Sequence, residues 1–481
     1  MSNMLEKLKK LVPLRIFSFL QPLYHFVFSW LAALVYWFPS RRLIIIGITG
    51  TAGKTSTAYL TAKMLQAAGY KTGFTSTAVF SDGENEWLND RKMTMPGRFF
   101  IQKFLRRMVK NRCRYAIVET TSEGIKQFRH RFINYDVLLF TSLYPEHIES
   151  HGSFDKYREA KGKLFTHIRY GAIKYVDSDH LVVRPRNAMK KLDLTRIPKT
   201  IVVNGDDDNA NYFLNFWSEA KSVYFFRPEA SREFFMKQLN SESKVSDFTC
   251  VKGSDVSLSA QGTSFKINEQ PVNLQILGKF NADNALAAAA IGLNQNISLD
   301  KIIIGLETIR SLAGKLDKID VGQDFTAIVD YSFEPKAVEK LYDVVSLLPH
   351  NRIIHLLGST GGGRDKSRRP ILGQLAGSKA DFVIVSNEDP YDEDPGDIID
   401  QVAAGAESAG KELDKDLFKV LDRREGIKKA LELATKDDLV LFTGKGAEQY
   451  ICLANGTKLS WDEREAVRAA IVDKLGIDKI K

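Results

Sequence analysis

The sequence is poor in cysteine, and its few thiols are badly placed for cross-links or metal ligation. Cys113, Cys250 and Cys452 are the only cysteines among 481 residues, and they lie far apart. This argues against a disulfide scaffold or a zinc ribbon and is typical of a reducing cytosol. The chain also lacks internal repeats and low-complexity tracts. Its 44% hydrophobic and 26% charged residues are ordinary for a globular enzyme of two or three domains.

Acidic residues are fewer than basic ones, which leaves a formal net charge of +9. An excess of positive charge suits anionic partners such as nucleotides, anionic sugars or membrane surfaces. The basic residues are spread along the chain without a stripe of alternating basic and aromatic side chains. The sequence therefore argues against nucleic-acid binding.

One long segment lacks charge altogether. From Ile16 to Ser40 there is no Asp, Glu, Lys or Arg, and Phe, Leu, Trp and Tyr dominate. About 20 apolar residues can span a bilayer, but Gln21, Pro22 and His25 interrupt this run, and no signal-peptide cleavage site follows. Two interpretations of the N-terminal helical segment 1–41 stay open: a helical anchor in or on the membrane, or an apolar helical pair packed against the globular body or a second subunit. The flanking basic residues are Lys7, Lys9, Lys10, Arg15, Arg41 and Arg42.

A glycine-rich turn follows this segment. The β-branched run Ile44–Ile48 leads into the turn, and a helix-prone stretch comes next. A strand, a loop and a helix N-terminus in this order form a phosphate cradle, because the loop N–H groups and the helix dipole face the anion. Lys54 adds a point charge, and Thr55 adds a hydroxyl that can ligate Mg²⁺. Ile48 replaces the first glycine of the longer phosphate-loop motif, which leaves the shorter G-T-x-G-K-T form. ATP binding is predicted for Gly50, Thr51, Ala52, Gly53, Lys54, Thr55 and Ser56.

Beyond Arg42, strand-like and helix-like segments alternate, which predicts an α/β fold. We expect a central P-loop-type ATPase domain with a mostly parallel sheet over 42–310 and a Rossmann-like α/β domain over 311–481. An Ala-rich helix is predicted over Asn284–Leu293. The predicted strands of the first domain are Leu43–Ile48, Tyr115–Glu119, Val137–Thr141, Ala172–Val176 and Thr200–Val203. Those of the second are Thr326–Val329, Ile353–Leu357, Phe382–Val385 and Leu439–Phe442.

Three further segments carry side chains suited to chemistry. One starts at Glu119 and ends at Gly124, the next runs from Thr141 to Phe154 and contains His147, and Tyr157–Phe165 reads as a helix. Each segment is a weak signal alone, because a lone Glu or His usually has a solvent or structural role. Together with the phosphate loop they resemble the Mur ligases, the ATP-dependent amino-acid-adding enzymes of peptidoglycan synthesis. Further matches follow in the family's order: Asn281–Ala288, Asp330-Tyr331, Gly361–Lys366, Asp422-Arg423 and Gly444–Glu448.

The branch that the sequence resembles most is the UDP-N-acetylmuramyl-tripeptide synthetases. This resemblance implies that a carboxylate of a UDP-N-acetylmuramyl peptide attacks the γ-phosphate of ATP, giving an acyl phosphate and ADP. The amine of a free amino acid then attacks the carbonyl and releases phosphate. Two alternatives stay open: a related ligase with a lipid-linked, folate or polyglutamate acceptor, and a non-catalytic nucleotide-binding scaffold.

The resemblance also implies metal and catalytic residues. Two Mg²⁺ ions are expected, with Thr55, Glu119, His147 and Lys161 as their ligands. Lys161 matches the family lysine that reacts with CO₂ to form a carbamate, and Lys163 is the competing lysine on the same helix. The residues that the resemblance assigns to catalysis are Lys54, His147 and Lys161.

Binding residues follow from the same matches. Asn281, Asp330 and Arg364 match positions that contact the nucleotide or close over it. The remaining matches are to substrate-binding positions, and these are Thr94, Thr121, Gln127, Arg129, Asn387, Asp389, Gly444 and Glu448.

The departures from the family pattern concern both substrates. Tyr391 stands where diaminopimelate-adding members carry an arginine, within the acidic stretch Glu388–Asp394. Such a stretch would repel a carboxylate and favour a basic amino acid, unless it is only a solvated loop. The uridine-contacting N-terminal domain of related enzymes has no match here, and the apolar segment Ile16–Ser40 stands in its place. We therefore expect a cytoplasmic enzyme, with attachment to the inner face of the membrane as an open alternative.

Overall fold

The computed structural model describes residues 14–145, 152–177, 179, 181–183, 194–259 and 261–476. Its helices are α1 (Leu14–Val35), α2 (Lys54–Ala67), α3 (Arg98–Lys110), α4 (Ser122–Lys126), α5 (Phe154–His167), α6 (Ala210–Leu214), α7 (Arg232–Lys237), α8 (Lys279–Asn294), α9 (Leu299–Glu307), α10 (Pro335–Val345), α11 (Arg368–Lys379), α12 (Pro395–Ser408), α13 (Arg423–Leu433) and α14 (Glu463–Leu475). Short 3₁₀ turns cover Pro39–Arg42, Ile168–Tyr170, Ser241–Ser243 and Ala454–Gly456.

The strands divide between the two predicted parts of the chain. The first part contains β1 (Ile44–Thr49), β2 (Thr72–Thr75), β3 (Val79–Ser81), β4 (Glu86–Leu88), β5 (Tyr115–Glu119), β6 (Val137–Phe140), β7 (Lys174–Val176), β8 (Val182–Val183), β9 (Thr195–Ile197), β10 (Thr200–Asn204), β11 (Ala220–Phe225), β12 (Asp247–Ser259), β13 (Gly262–Ile267) and β14 (Gln270–Leu274). The second contains β15 (Asp317–Ile319), β16 (Thr326–Asp330), β17 (Ile353–Leu357), β18 (Phe382–Ser386), β19 (Leu417–Val420), β20 (Leu439–Thr443), β21 (Tyr450–Cys452) and β22 (Lys458–Ser460).

The large sheet has the described strand order β14-β13-β12-β11-β10-β6-β1-β5-β2-β3-β4. Pairing is parallel from β12 to β2, and antiparallel hairpins extend both edges. The strand β1 lies at the centre because its isoleucines can be buried on both faces. Ile44, Ile46 and Ile48 pack with the Ala-rich α8, and Ile45 packs on the opposite face, where α3 and α5 lie. Each buried isoleucine side chain contributes about 1.5–3 kcal/mol.

The register of the central strands sets the position of the site. Ile48 pairs with Glu119, and Thr49 pairs with Phe140. The carboxyl ends of β1, β5 and β6 therefore meet at one edge of the sheet, where α/β proteins place their ligands. The loops that follow these three strands carry most of the predicted nucleotide and metal residues.

The second sheet has the described order β15-β16-β20-β17-β18-β19, and only its β15–β16 pair is antiparallel. Asp330 pairs with Thr443, which brings the loops after β16 and β20 together. The α/β fold class predicted from the sequence is confirmed. The domain boundaries at 42 and 311 stay a prediction, and no strand of the described residues joins the two large sheets.

Most predicted strands agree with the structure to within a residue or two, and one of them lies outside the large sheet. The strand predicted over Ala172–Val176 is β7, and it pairs with β8 and β9 in a small antiparallel sheet outside the central one. The Ala-rich helix α8 is longer than predicted and almost entirely buried.

The apolar N-terminal segment forms one described helix, α1, where one interpretation expected a helical pair. The helix contains Pro22, and its Ser29, Ala32 and Ala33 are buried against the globular body. None of the helices in the described part of the chain combines the length and the hydropathy that crossing a bilayer requires.

Candidate active site

The predicted phosphate loop lies between β1 and α2. Gly53 is the N-cap of α2, with φ of 79° and ψ of −13°, a left-handed conformation that favours glycine. A Cβ atom on Gly53 would lie 2.5 Å from Oδ1 of Asn284. Thr57 Oγ1 donates to the same oxygen at 3.1 Å. Asn284 thus fixes the start of α2, whose first N–H groups have no partner within the helix.

The end of β6 holds the other side of the loop. The Thr51 N–H donates to the Ser142 carbonyl at 2.7 Å, and the Ala52 N–H lies 3.1 Å from Ser142 Oγ. Thr141 Oγ1 donates to the Ala52 carbonyl at 2.6 Å. Lys54 Nζ donates to the Thr51 carbonyl at 2.8 Å, so its ammonium group lies over the loop. These contacts hold the loop in one conformation.

Glu119 is a buried carboxylate at the end of β5, beside the loop. Thr55 Oγ1 lies 3.1 and 3.0 Å from its two oxygens, and Thr77 donates to it from the backbone N–H at 2.8 Å and from the hydroxyl at 3.0 Å. Every hydrogen-bond donor to Glu119 from the described residues is therefore uncharged. Burial raises the pKa of Glu119, while Lys54 and the bonds from Thr77 and Thr55 oppose the shift. Such a carboxylate is a candidate ligand for a hard cation.

Lys161 is buried at the same loop. It lies on α5, and its Nζ donates to the Gly50 carbonyl at 2.8 Å and lies 4.5 Å from the centre of the Tyr157 ring. The Tyr157 hydroxyl lies 3.2 Å from Thr51 Oγ1. Lys163, the competing lysine, is exposed. The structure therefore distinguishes the two lysines, because only Lys161 points toward the loop.

The other predicted metal ligand, His147, lies outside the described residues. Within the described ranges, no group of three or more His, Cys, Asp or Glu side chains is placed to hold a metal ion. The described part of the predicted set, Thr55, Glu119 and Lys161, does lie around the loop. A Mg²⁺ ion here would need further oxygen ligands from water and phosphate, as is usual for this ion.

Of the predicted acceptor-binding residues, Thr94 alone reaches the Glu119 cluster. Its Oγ1 lies 2.8 Å from Oγ1 of Thr77. Thr121 is the N-cap of the short helix α4 and accepts from a backbone N–H three residues on at 3.1 Å. Gln127 Oε1 accepts from Arg129 at 2.6 Å just beyond that helix. Arg129 also donates to the carbonyl of Met95, the neighbour of Thr94, and we call Thr94, Thr121, Gln127 and Arg129 together the rim.

The predicted nucleotide contacts lie on three different elements. The Asn281 amide donates to a backbone carbonyl at 2.7 Å and accepts from Asn284 at 3.2 Å, so it supports Asn284 from within α8. Asp330 ends β16 and accepts the backbone N–H groups of Leu316 and Ser332, both at 2.7 Å. Arg364 is exposed in the glycine-rich loop before α11.

A second charged cluster joins the two halves of the chain. Lys92, in the loop before α3, lies 2.7 Å from Asp389 and 3.0 Å from Glu448. Lys445 contacts the same two carboxylates at 3.1 and 2.7 Å. Burial lowers the pKa of Lys92, but Glu448 and Asp389 outweigh it and raise the value above the ordinary one. Two ammonium groups therefore neutralise two carboxylates in a nearly buried cluster.

The acidic stretch after β18 does not form the ring of open carboxylates that the sequence suggested. Asp392 accepts from the Asn455 N–H at 2.8 Å, Glu393 pairs with Lys366 and Arg369, and Asp394 caps α12. Asn387 uses its backbone carbonyl to accept from Arg423 at 3.1 Å. Each of these groups is satisfied within the chain.

Glu388 is the exception in that stretch. Its Oε2 is buried and has no hydrogen-bond partner among the described residues. A Cβ on Gly444 would lie 2.3 Å from this oxygen, so the backbone after β20 passes close to it. Burial raises the pKa of Glu388 to about 7 against the opposing charges of Lys445 and Arg423.

Several residues at the site were not predicted from the sequence, among them Thr77, Lys92 and Asn284. Thr77 and Lys92 lie in loops with no motif, and only the folded chain brings them to Glu119 and Asp389. Asn284 lay inside the matched segment Asn281–Ala288, which was the available signal.

A phosphate loop beside a buried carboxylate, linked through ion pairs to a second α/β lobe, is the architecture of a two-lobed ATP-dependent ligase. The Mur ligase middle domain matches residues 48–197, and the Mur ligase glutamate ligase domain matches residues 316–446. The chain is 33% identical over 449 residues to a UDP-N-acetylmuramyl-tripeptide synthetase of Roseiflexus, covering 92% of this chain and 81% of that one. This chain therefore belongs to the Mur ligase family.

A second relative is covered to a similar extent. A UDP-N-acetylmuramoyl-L-alanyl-D-glutamate–2,6-diaminopimelate ligase of Geobacillus kaustophilus is 30% identical over 450 residues, or 92% of this chain and 82% of its own. Among solved structures, a D-alanyl-D-alanyl-adding ligase of Acinetobacter baumannii superposes with a TM-score of 0.60 at 16% identity, covering 94% of this chain and 80% of that one. At that identity the superposition shows a shared fold.

Proposed function

We propose that this chain joins a free amino acid to a UDP-N-acetylmuramyl peptide at the expense of ATP. The acceptor carboxylate takes the γ-phosphoryl group, which gives an acyl phosphate and ADP, and the incoming amine then displaces phosphate. The observation that carries the proposal is the meeting of Lys54, Glu119 and Lys161 at one four-residue loop between β1 and α2. A nucleotide-binding scaffold has no need of the buried Lys161 at this point.

Lys54 and the first N–H groups of α2 have the roles of binding and neutralising the β- and γ-phosphates. Thr55 and Glu119 would hold a Mg²⁺ ion, and their hard oxygens and the uncharged surroundings of Glu119 fit it. The ion supplies charge neutralisation at the transferred phosphoryl group. Thr77 keeps the Glu119 carboxylate oriented through two hydrogen bonds.

Lys161 is proposed to carry a carbamate. A neutral lysine amine adds to CO₂, and the product is a carbamate anion and one released proton. The position of Lys161 supports this assignment, because the residue is buried and its Nζ lies at the Gly50 carbonyl of the loop. His147, which lies outside the described residues, keeps its assignment as a ligand of a second Mg²⁺ ion.

The acceptor would bind along the rim formed by Thr94, Thr121, Gln127 and Arg129. Thr94 links this rim to the metal side of the site through Thr77. Arg129 offers a cation for a diphosphate or a carboxylate of the acceptor.

The added amino acid is proposed to be basic. The ammonium group of Lys92 shows that the space between Asp389 and Glu448 accepts such a group at hydrogen-bond distance. A lysine or ornithine side chain would compete with Lys92 for these carboxylates. Diaminopimelate would bring a carboxylate as well as an ammonium group close to Asp389 and Glu448, so we expect it to react more slowly than lysine.

Phosphate release measures the proposed reaction. The purified chain is incubated with ATP, Mg²⁺, UDP-N-acetylmuramyl dipeptide and each of a panel of amino acids that includes lysine, ornithine and diaminopimelate. We expect release only when acceptor and amino acid are both present, with the basic amino acids fastest. Nucleotide binding without turnover across the panel would contradict the proposal and support a scaffold.

A further inference from the structure

The helix α1 is apolar on the side that faces away from the protein. Leu23, Phe26, Val27, Trp30 and Leu34 are each between 39% and 60% exposed. Their spacing of three, one, three and four residues places them on one helical face about 100° wide. A soluble helix packed on a globular body carries polar residues on this face. A continuous apolar face of this kind marks a contact surface.

The opposite side of α1 is already occupied by the protein itself. Ser29 Oγ donates to the Phe128 carbonyl at 2.9 Å, and His25 Nδ1 lies 2.7 Å from the Arg98 guanidinium. Ala32 and Ala33 are fully buried. The helix α1 is therefore packed on the protein through one face, and the apolar residues on its other face remain exposed.

The residues around this face indicate what covers it. Trp37, just beyond α1, is 72% exposed, and with Trp30 and Phe26 it gives the aromatic content typical of membrane interfaces. Arg41 and Arg42 follow and are exposed. In the sequence, Lys7, Lys9, Lys10 and Arg15 come on the N-terminal side of the apolar face. Basic groups at both ends of an apolar stripe are complementary to anionic lipid headgroups. A second copy of the chain, with its own net charge of +9, would be repelled.

The inner side of α1 contacts the part of the protein that follows α4. Arg98, which contacts His25, donates to the Gln127 carbonyl at 3.2 Å. The rings of Phe26 and Phe132 lie 5.2 Å apart in an edge-to-face contact. The helix therefore rests on the segment that follows α4, which contains Gln127 and Arg129.

We propose that the outer face of α1, formed by Leu23, Phe26, Val27, Trp30 and Leu34, binds the surface of an anionic lipid bilayer. The helix lies in the plane of the headgroups and does not cross the membrane. Binding would place the segment with Gln127 and Arg129 near the bilayer, with α1 between them. This inference goes beyond the proposed function, because lipid binding does not require ligase chemistry.

Vesicle flotation tests the inference on the full chain. The vesicles consist of phosphatidylcholine alone or of phosphatidylcholine with phosphatidylglycerol. We expect the chain to float with the anionic vesicles, and the double variant Phe26→Ser/Trp30→Ser to lose at least about tenfold in apparent affinity. The control variant Ile304→Ser/Leu421→Ser removes two apolar side chains elsewhere that are more exposed than Phe26 and Trp30, and it should float like the parent. Failure of the parent to float, or equal flotation of both variants, would overturn the inference.

Four further measurements keep the test independent of folding and of the ligase reaction. Thermal unfolding compares the double variant with the parent, and brominated lipid should quench the tryptophan fluorescence of the parent itself. Sedimentation without lipid tests whether a second copy of the chain covers this face instead. A parent dimer that dissociates in the variant Phe26→Ser/Trp30→Ser would overturn the lipid proposal. Phosphate release from water-soluble substrates should be unchanged in the double variant, so its result reports on the proposed function alone.

Discussion

The buried carboxylates at the two ends of the site, Glu119 and Asp389, differ in the charge of their hydrogen-bond partners and in the direction of their pKa shifts. Glu119, beside the phosphate loop, receives hydrogen bonds only from uncharged hydroxyl and amide groups of the described residues. Asp389, in the second lobe, lies at hydrogen-bond distance from two ammonium groups, those of Lys92 and Lys445. Burial raises the pKa of Glu119, whereas Lys445 and Lys92 overcome the effect of burial on Asp389 and hold its pKa below the ordinary value.

This difference indicates what each end binds. A buried carboxylate whose hydrogen-bond donors are all uncharged is stabilised as an anion when a cation binds, and Lys54 acts on Glu119 in the same direction, so the Glu119 end fits the proposed metal ion. The Asp389 end already contains its countercharge, and a cationic substrate group can enter only by exchange with Lys92. We therefore expect a cation to be added at Glu119, and a cationic substrate group to replace Lys92 at Asp389.

The largest effect is expected from removing the negative charge of Glu119. Glu119→Gln keeps the size of the side chain but loses the anion, and turnover should fall by about 10²–10³-fold, the loss typical of a group that stabilises charge in the transition state. Steady-state phosphate release over a Mg²⁺ titration measures this. Glu123→Gln, an exposed neighbour, is the matched control. Similar turnover rates for Glu119→Gln and Glu123→Gln would show that the Glu119 carboxylate has no special role at the site.

Lys161→Ala should lower turnover by roughly 10–100-fold, the range seen when a group that organises a metal site is lost. Added acetate or formate should restore part of the rate by supplying the missing carboxylate. Lys163→Ala, an exposed change on the same helix, should leave the rate unaltered. A parent-like rate for Lys161→Ala would show that its assigned role is wrong.

At the other end, Lys92→Met breaks a buried ion pair and should lower the free energy of unfolding by about 3 kcal/mol. Because Asp389 and Glu448 then share a single lysine, the ratio of kcat/KM for lysine to that for alanine should rise. Chemical denaturation and the amino-acid panel measure the two effects. Lys63→Met, which removes an exposed pair with Glu86, serves as control. An unchanged amino-acid preference would mean that Lys92 does not compete with the substrate.

The smallest effect concerns pH and Glu388. Its pKa is raised by burial to about 7, so the folded chain retains a proton that the unfolded chain releases near its ordinary value of 4.5. The stabilisation is fully present below that ordinary value and is lost as the pH rises through 7. The free energy of unfolding of the parent should therefore decline between pH 5 and pH 8 relative to Glu388→Gln. Parallel pH profiles for the two proteins would show that Glu388 does not titrate in this range.

Local sequence patterns predicted the parts of the site that lie within one strand–loop–helix unit. The glycine-rich turn after Ile44–Ile48 is such a unit, and Glu119 ends a strand of apolar residues. The pairing of charges was not predictable, because Lys92 and Asp389 are 297 positions apart and meet only through the packing of two lobes. For the same reason the acidic stretch after β18 was interpreted as open, although capping and ion pairs satisfy most of it.

The central claim is that the acceptor carboxylate itself becomes phosphorylated at the loop between β1 and α2. It can be tested with an acceptor whose carboxylate oxygens are labelled with ¹⁸O. The account predicts that each turnover transfers one labelled oxygen to the released phosphate, while the other remains in the new amide. Unlabelled phosphate released at the rate of product formation would contradict it, since the oxygen would then have come from water.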